Sequence, residues 1–271
     1  MNQTHWGLSH SPFRSCLDTR LYYASPTHDE ALARMHFLVD SRRRLGVLQG
    51  GTGTGKSMML EVFAEQLRRS GADVVVIDLL GAGAHELVWT LADQLHANPS
   101  FDESTFRLWR MVLDRLVENR YQHIPTVFLL DNADEVGSDV LEHVARLSLI
   151  DTSPEARLTI VLTANSHRVE SLGTRLLELT ELRIELESWE EEDTVGYIEW
   201  ALRNAGREQP VMDVDALARL HQLSGGVPRR VLQLTDLALL AAAGQNLDAV
   251  DATTVEAVYQ ELSVTAEPAM T

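Results

Sequence analysis

The sequence predicts an α/β fold in which a five-stranded parallel sheet is followed by an all-helical C-terminal part. Three observations predict it. Short apolar runs alternate with helical patterns through the first two thirds of the chain, the pattern of a parallel sheet. The first of these alternations is joined by a glycine-rich loop, Gly50-Gly51-Thr52-Gly53-Thr54-Gly55-Lys56-Ser57. From Trp189 onward strand patterns vanish and only helical periodicity remains. The domain boundary therefore falls near residue 188. Residues 1–188 form the sheet-bearing core with an N-terminal extension, and residues 189–271 form the helical domain.

The elements follow in order. Residues 1–26 read as irregular, with aromatics at Trp6, Phe13, Tyr22 and Tyr23. Thr27-His28-Asp29-Glu30 is a capping-box pattern opening a helix with Leu32, Met35, Leu38 and Val39 on one face. Leu45–Gln49 reads as a buried strand feeding the glycine loop. Ser57–Arg69 is the helix that leaves the loop, with Met59, Leu60, Phe63 and Leu67 on one face and Gly71 as its stop. Val74–Asp78 is a second strand, and helical patterns cover about 84–96 and 103–119. Thr126–Asp131 is a continuous apolar strand that ends in a carboxylate. A helix near 136–148, a strand at Leu158–Thr163, a helix near 168–178 and a strand at Leu182–Leu186 complete the alternation. Glu190-Glu191-Glu192-Asp193 opens the first C-terminal helix, since carboxylates are favourable in a first turn. Three more helices are expected near 213–223, 228–243 and 252–262.

Composition narrows the function classes. The 271 residues are 45% hydrophobic and 23% charged, enough for a sizeable core. No apolar run reaches membrane-span length and the first residues show no signal-peptide pattern. The single cysteine, Cys16, excludes an internal disulfide and fits a cytoplasmic setting. Ten histidines lie scattered without metal-ligand spacing. The net charge of −17 argues against a nucleic-acid binder, which needs a basic face. Arg42-Arg43-Arg44 is the best local basic patch; its plainer reading is a helix C-terminus, where cations complement the dipole.

The glycine loop carries the chemistry. It satisfies G-x-x-x-x-G-K-[ST], the phosphate-binding P-loop, and it has the strand before and the helix after that the motif requires. Glycines let backbone N–H groups converge on phosphate oxygens, and the helix N-terminus adds favourable partial charge. Residues Gly50 to Met58 are thus the expected cradle for ATP, with Lys56 as the point charge for the β- and γ-phosphates. The Ser57 hydroxyl and the Asp131 carboxylate are the expected Mg²⁺ ligands, Asp131 because it ends an apolar strand at the carboxyl edge of the sheet.

Asn132 follows Asp131, where ATPases of this layout carry a water-activating glutamate. An amide orients water but cannot accept its proton, so hydrolysis is expected to be slow. Asp134 and Glu135 are nearby acids that either substitute for the missing base or cap the next helix. Asn165, or with less support Thr163, sits at a strand tip suited to sensing a γ-phosphate. Ser224-Gly225-Gly226-Val227-Pro228-Arg229-Arg230 places two arginines at a helix start, where the dipole disfavours cations. An anionic ligand or salt bridges to the acidic surface would account for that placement.

Together these pieces resemble an AAA+ ATPase, and more narrowly the ATPase domain of the general secretion pathway protein A family. The similarity runs through Phe13, Asp18-Thr19-Arg20-Leu21-Tyr22-Tyr23, Ser25 to Leu32, Gly50–Ser57, Leu130-Asp131, Gly225–Arg230 and Asp236 with Ala238-Leu239-Leu240. The resemblance implies strand order 5-1-4-3-2, a helical lid carrying a sensor arginine at Arg229, and adenine contacts around Tyr22 and Tyr23. It implies self-association in which Arg175, ahead of Arg183, reaches a neighbour's γ-phosphate. Where the family has Asp-Glu-Ala, this chain has Asp131-Asn132-Ala133. Family members in secretion also carry a membrane span and a periplasmic peptidoglycan-binding domain, neither of which is read here. The expected function is a Mg²⁺-ATP-dependent AAA+ protein whose lid closure acts on a protein partner. Its rivals are an ATP-loaded switch with little turnover and a DNA-associated transposition or origin-type regulator.

Overall fold

A computed structural model describes residues 2–14, 16–151, 153 and 155–266. The elements are α1 (Asn2–Trp6), α2 (Pro26–Asp40), β1 (Leu45–Gly50), α3 (Lys56–Arg69), β2 (Asp73–Asp78), α4 (Ala84–Gln94), α5 (Thr105–Tyr121), β3 (Thr126–Asp131), α6 (Ser138–Ser148), β4 (Leu158–Asn165), α7 (Gly173–Leu179), β5 (Leu182–Leu186), α8 (Glu191–Asn204), α9 (Val214–Ser224), α10 (Pro228–Gly244) and α11 (Ala252–Ala266). Single 3₁₀ turns lie at Thr19–Leu21, Ala133–Glu135 and Val169–Leu172.

The chain divides into two compact units. One comprises residues 26–52 and 56–186; the other comprises residues 1–25, 53–55 and 187–271. The sequence reading grouped residues 1–25 with the sheet, whereas these residues lie in the unit that holds the C-terminal helices.

The first unit is built on a five-stranded parallel sheet in the order β2-β3-β4-β1-β5, the expected 5-1-4-3-2 order seen from its other edge. Parallel strands need covered faces, and the sequence supplies them. Every residue of β3 is buried, whereas the edge strand β5 alternates, with only Ile184 and Leu186 buried. Strand residues Val47, Phe128 and Ile160 share one apolar cluster with Leu87, Trp109, Val112 and Val144 of the helices. Their neighbours Leu48, Val127, Leu129 and Val161 are equally buried, and the two-residue period of a strand sends them to the opposite face. Helix α3 stops as expected at Gly71, whose φ is +88°, with the Ala72 N–H closing on the Leu67 carbonyl at 3.1 Å.

Several boundaries differ from the sequence expectation. Helix α2 begins at Pro26, so Thr27 lies inside the first turn rather than capping it; proline is pre-set for the first helical position. The helix expected over 168–178 is a 3₁₀ turn followed by α7. The arginine run 42–44 lies beyond the end of α2. Glu181 engages two of the three, with Arg43 Nη1 at 3.2 Å and the Arg44 N–H donating at 2.9 Å.

The second unit has its own core, which joins Trp6, Phe13, Trp189, Tyr197, Leu220 and Leu234. The N-terminal stretch is not wholly irregular: α1 places Trp6 in this core, where its indole N–H donates to the Leu239 carbonyl at 3.0 Å. Tertiary packing, not propensity, holds a helix this short, so no local period announces it. The turn before α10 is fixed by Gly226, whose φ is +65° and whose carbonyl accepts from the Trp189 N–H at 2.9 Å. Among the described residues, no helix is long and apolar enough to cross a membrane.

Candidate nucleotide site

The loop between β1 and α3 is built as the motif requires. Strand β1 ends at Gly50 and α3 opens at Lys56, with Ser57 and Met58 in its first turn. Gly53 and Gly55 take φ of +87° and +103°, a region in which a side chain is strained. The half-buried Lys56 ammonium donates to the Gly50 carbonyl at 2.8 Å and the Gly51 carbonyl at 2.9 Å. Its charge is thereby held at the loop, beside a helix N-terminus whose first N–H groups have no intrahelical acceptor.

Strand register brings the remaining candidates to the same edge. Asp78 of β2 pairs with Asp131 of β3, and Gly50 of β1 pairs with Asn165 of β4. All four end their strands, so the carboxyl edge carries two carboxylates, an amide and the loop. Asp131 is 8% exposed, and its Oδ1 accepts from the Thr163 hydroxyl and from the Asn132 N–H, the latter at 3.1 Å. The Thr163 Oγ1 also accepts from the Asn132 N–H at 2.9 Å. Thr163 is fully buried and spent on orienting Asp131, so the lesser sensor role read for it does not match its position.

Asn132 takes the left-handed conformation, φ +56° and ψ +39°, which asparagine tolerates better than most residues. Its side-chain Nδ2 donates to Asp78 Oδ1 at 2.8 Å. The same Asp78 oxygen accepts from the Leu80 N–H at 3.0 Å. The two substitute acids are committed elsewhere. Arg168 donates to the Glu135 carboxylate and, through Nη2, to the Asp134 carbonyl at 2.8 Å; its Nε lies 3.7 Å from Asp134 Oδ2. Its hydrogen bond to Glu135 raises the Arg168 pKa above the usual arginine value. Residues 133–135 form a 3₁₀ turn under this clamp and do not cap the next helix, which opens at Ser138.

Asn165 uses both ends of its amide: Nδ2 donates to Thr52 Oγ1 of the loop at 2.9 Å, and Oδ1 accepts from the His167 N–H at 3.0 Å. In the other unit, Arg229 sits in the first turn of α10 and its backbone N–H donates to the Gly53 carbonyl at 3.1 Å. A Cβ on Gly53 would lie 2.9 Å from Arg229 Cβ, so only glycine admits this approach. Arg175 on α7 and Arg183 on β5 are both exposed. Tyr23 packs into an aromatic group with Tyr197 at 5.7 Å, Trp200 at 5.8 Å and Trp189 at 6.0 Å between ring centroids. Burial raises its phenol pKa.

The donor set suits a hard cation. A serine hydroxyl and a carboxylate offer oxygen only, and Mg²⁺ takes one or two such ligands and completes its shell with phosphate and water. Sequence reasoning missed Asp78 and Arg168, whose partners lie 54 and 33 residues away along the chain. A carboxylate ending a strand beside the Asp131 strand was the available signal for Asp78.

Residues 39–172 match the family model described as an AAA domain. General secretion pathway protein A of Aeromonas hydrophila is 28% identical over 241 residues, which span 88% of this chain and 44% of that protein. The chain thus carries a stretch that matches an AAA domain and, over most of its length, resembles general secretion pathway protein A. It spans less than half the length of that relative. Among solved structures, the Aeropyrum pernix ORC1 protein in complex with DNA superposes with a TM-score of 0.69 at 18% identity, over 98% of this chain and 72% of that one. Cdc6p from Pyrobaculum aerophilum gives 0.73 at 15% identity, over 95% and 74%. The Thermotoga maritima RuvB Holliday junction branch migration motor gives 0.57 at 14% identity, over 86% and 69%. At these identities the likeness is one of fold: the AAA+ type of P-loop sheet with a helical C-terminal part.

Proposed function

We propose that this protein binds Mg²⁺-ATP at the carboxyl edge of its sheet, hydrolyses it slowly, and uses the bound state to act on a protein partner. One observation carries the reading: Lys56, the N-terminus of α3 and Asp131 converge on a single sheet edge. Lys56 would exchange its two loop carbonyls for phosphate oxygens, and Ser57 with Asp131 would hold Mg²⁺, which supplies charge neutralisation when bound.

Slow turnover is supported by the acids around Asn132. Asn132 has no basic oxygen with a proton affinity like a carboxylate's, and Asp134 and Glu135 lie under Arg168. That leaves Asn132 and Asn165 to orient water as amides. The place of Arg229 in the first turn of α10, where the helix dipole disfavours a cation, supports a lid whose arginine answers the γ-phosphate. Self-association with Arg175, or Arg183, reaching a neighbouring site belongs to the same proposal. So does a cytoplasmic setting, where the exposed thiol of Cys16 stays reduced.

The test is Arg229→Ala. A charge-assisted hydrogen bond is worth about 1.5–3 kcal/mol, so ATP affinity should fall roughly 10- to 100-fold while ADP affinity holds. Equal loss for both nucleotides would remove the lid reading. The second reading, a DNA-associated regulator, is favoured by the likeness to the ORC1 structure with DNA and opposed by the charge of −17. Filter binding with ATP at low and physiological salt decides between them.

A further inference from the structure

Helix α5 carries an exposed stripe that the nucleotide site does not use. At 100° per residue, Phe106, Arg110, Asp114, Val117 and Tyr121 fall within about 80° of one another on the helix surface. Phe106 is 82% exposed, Val117 54% and Tyr121 87%. The opposite face is the buried one, carrying Leu108, Trp109, Val112 and Leu116. Single exposed apolar residues are ordinary, but three on one stripe of one helix form a surface that water does not favour.

The charges identify the occupant. In the middle of the stripe, Arg110 Nε pairs with Asp114 at 3.1 Å. Every other arginine of α5 is also paired within the chain: Arg107 with Glu103 at 3.0 Å, Arg115 with Glu118 at 2.8 Å, and Arg120 with Asp151 at 2.8 Å. On a protein of net charge −17, this face brings no excess charge to a contact. The stripe is also self-complementary. Two copies of α5 laid antiparallel, with their midpoints at residue 112, set Arg110 of each against Asp114 of the other. Phe106 then enters the hole formed by residues 114, 117, 118 and 121 of the facing helix, the spacing of knobs-into-holes packing. The same twofold operation sets the apolar ends of the stripe together, with Phe106 of each copy against Val117 and Tyr121 of the other.

We infer that the outer face of α5 is a twofold docking surface for a second copy of this chain, in which the Arg110–Asp114 pairs exchange between subunits. The contact is one helix wide and about 25 Å long, which places it with weak, reversible dimers. It stands independently of the nucleotide reading, and it needs neither ATP nor Arg175.

Sedimentation of the full chain from about 1 to 300 μM without nucleotide tests it. A monomer–dimer equilibrium is expected in that range. Phe106→Ser and Arg110→Asp should each weaken it at least 10-fold, with circular dichroism and melting temperature close to wild type. Arg110→Asp with Asp114→Arg restores the reversed pair and should recover the dimer. A monomer at every concentration would overturn the inference. So would a dimer that Phe106→Ser leaves intact, one that forms only with nucleotide, or one that the double charge reversal does not recover.

Discussion

Asn132 and Asp78 are joined: the amide at the end of β3 donates to the carboxylate at the end of β2 at 2.8 Å. The residue that stands where a catalytic glutamate is expected is thus tied to a carboxylate on the neighbouring strand. Replacing Asn132 by glutamate alone would set two carboxylates against each other at a residue of φ +56°.

The Asn132→Glu variant should therefore lose about 1–3 kcal/mol of stability, from the left-handed backbone and the lost hydrogen bond. Joined with Asp78→Asn, the pair is restored with its partners exchanged. The double variant should recover the hydrogen-bond share of that loss, keep the backbone share, and release phosphate faster than wild type with nucleotide affinity unchanged. Denaturant titration and a phosphate-release assay check both halves. A double variant no faster than wild type would show that the missing carboxylate does not limit turnover.

Gly226 and Gly225 provide an internal comparison. Both have positive φ, +65° and +62°. A Cβ on Gly226 would fall 2.0 Å from the Trp189 carbonyl oxygen, whereas one on Gly225 meets nothing within 4 Å. Gly225→Ala should cost about 1 kcal/mol, the left-handed penalty alone. Gly226→Ala should cost several times that, because backbone must move. Equilibrium unfolding of the two variants reads the difference.

Asp236 gives a pH dependence. Burial raises its carboxyl pKa, against the lowering influence of a Ser11 hydrogen bond and the Arg14 charge. A folded-state pKa above the unfolded one means the native state holds the proton more tightly. Its contribution is then fully present below the unfolded aspartate pKa and is lost as pH rises through the folded value. Asp236→Asn should accordingly stabilise the protein more at pH 7 than at pH 4. Melting temperatures of the two proteins at both pH values test the sign.

Much of the fold is legible in the sequence because parallel strands buried on both faces must be continuously apolar. Thr126–Asp131 and Leu158–Asn165 show this plainly, and each ends in the polar residue that reaches the sheet edge. The loop is legible because its glycines and Lys56 are adjacent in sequence. What escaped notice rests on contacts between distant residues. Trp6 finds Leu239, Arg168 finds Glu135 and Asn132 finds Asp78 only once the chain is folded. The commitment of Thr163 to Asp131 is of the same kind, since strand order alone sets β4 beside β3.

The central claim is that a magnesium-bound triphosphate is held by Lys56 and by Ser57 with Asp131. Isothermal calorimetry with ATP and Mg²⁺, on wild type and on Lys56→Ala, tests it most directly. The expected result is saturable heat with one site per chain for wild type and at least a 10-fold weaker association for the variant. No heat from wild type at millimolar ATP, or equal affinity in the two proteins, would contradict it.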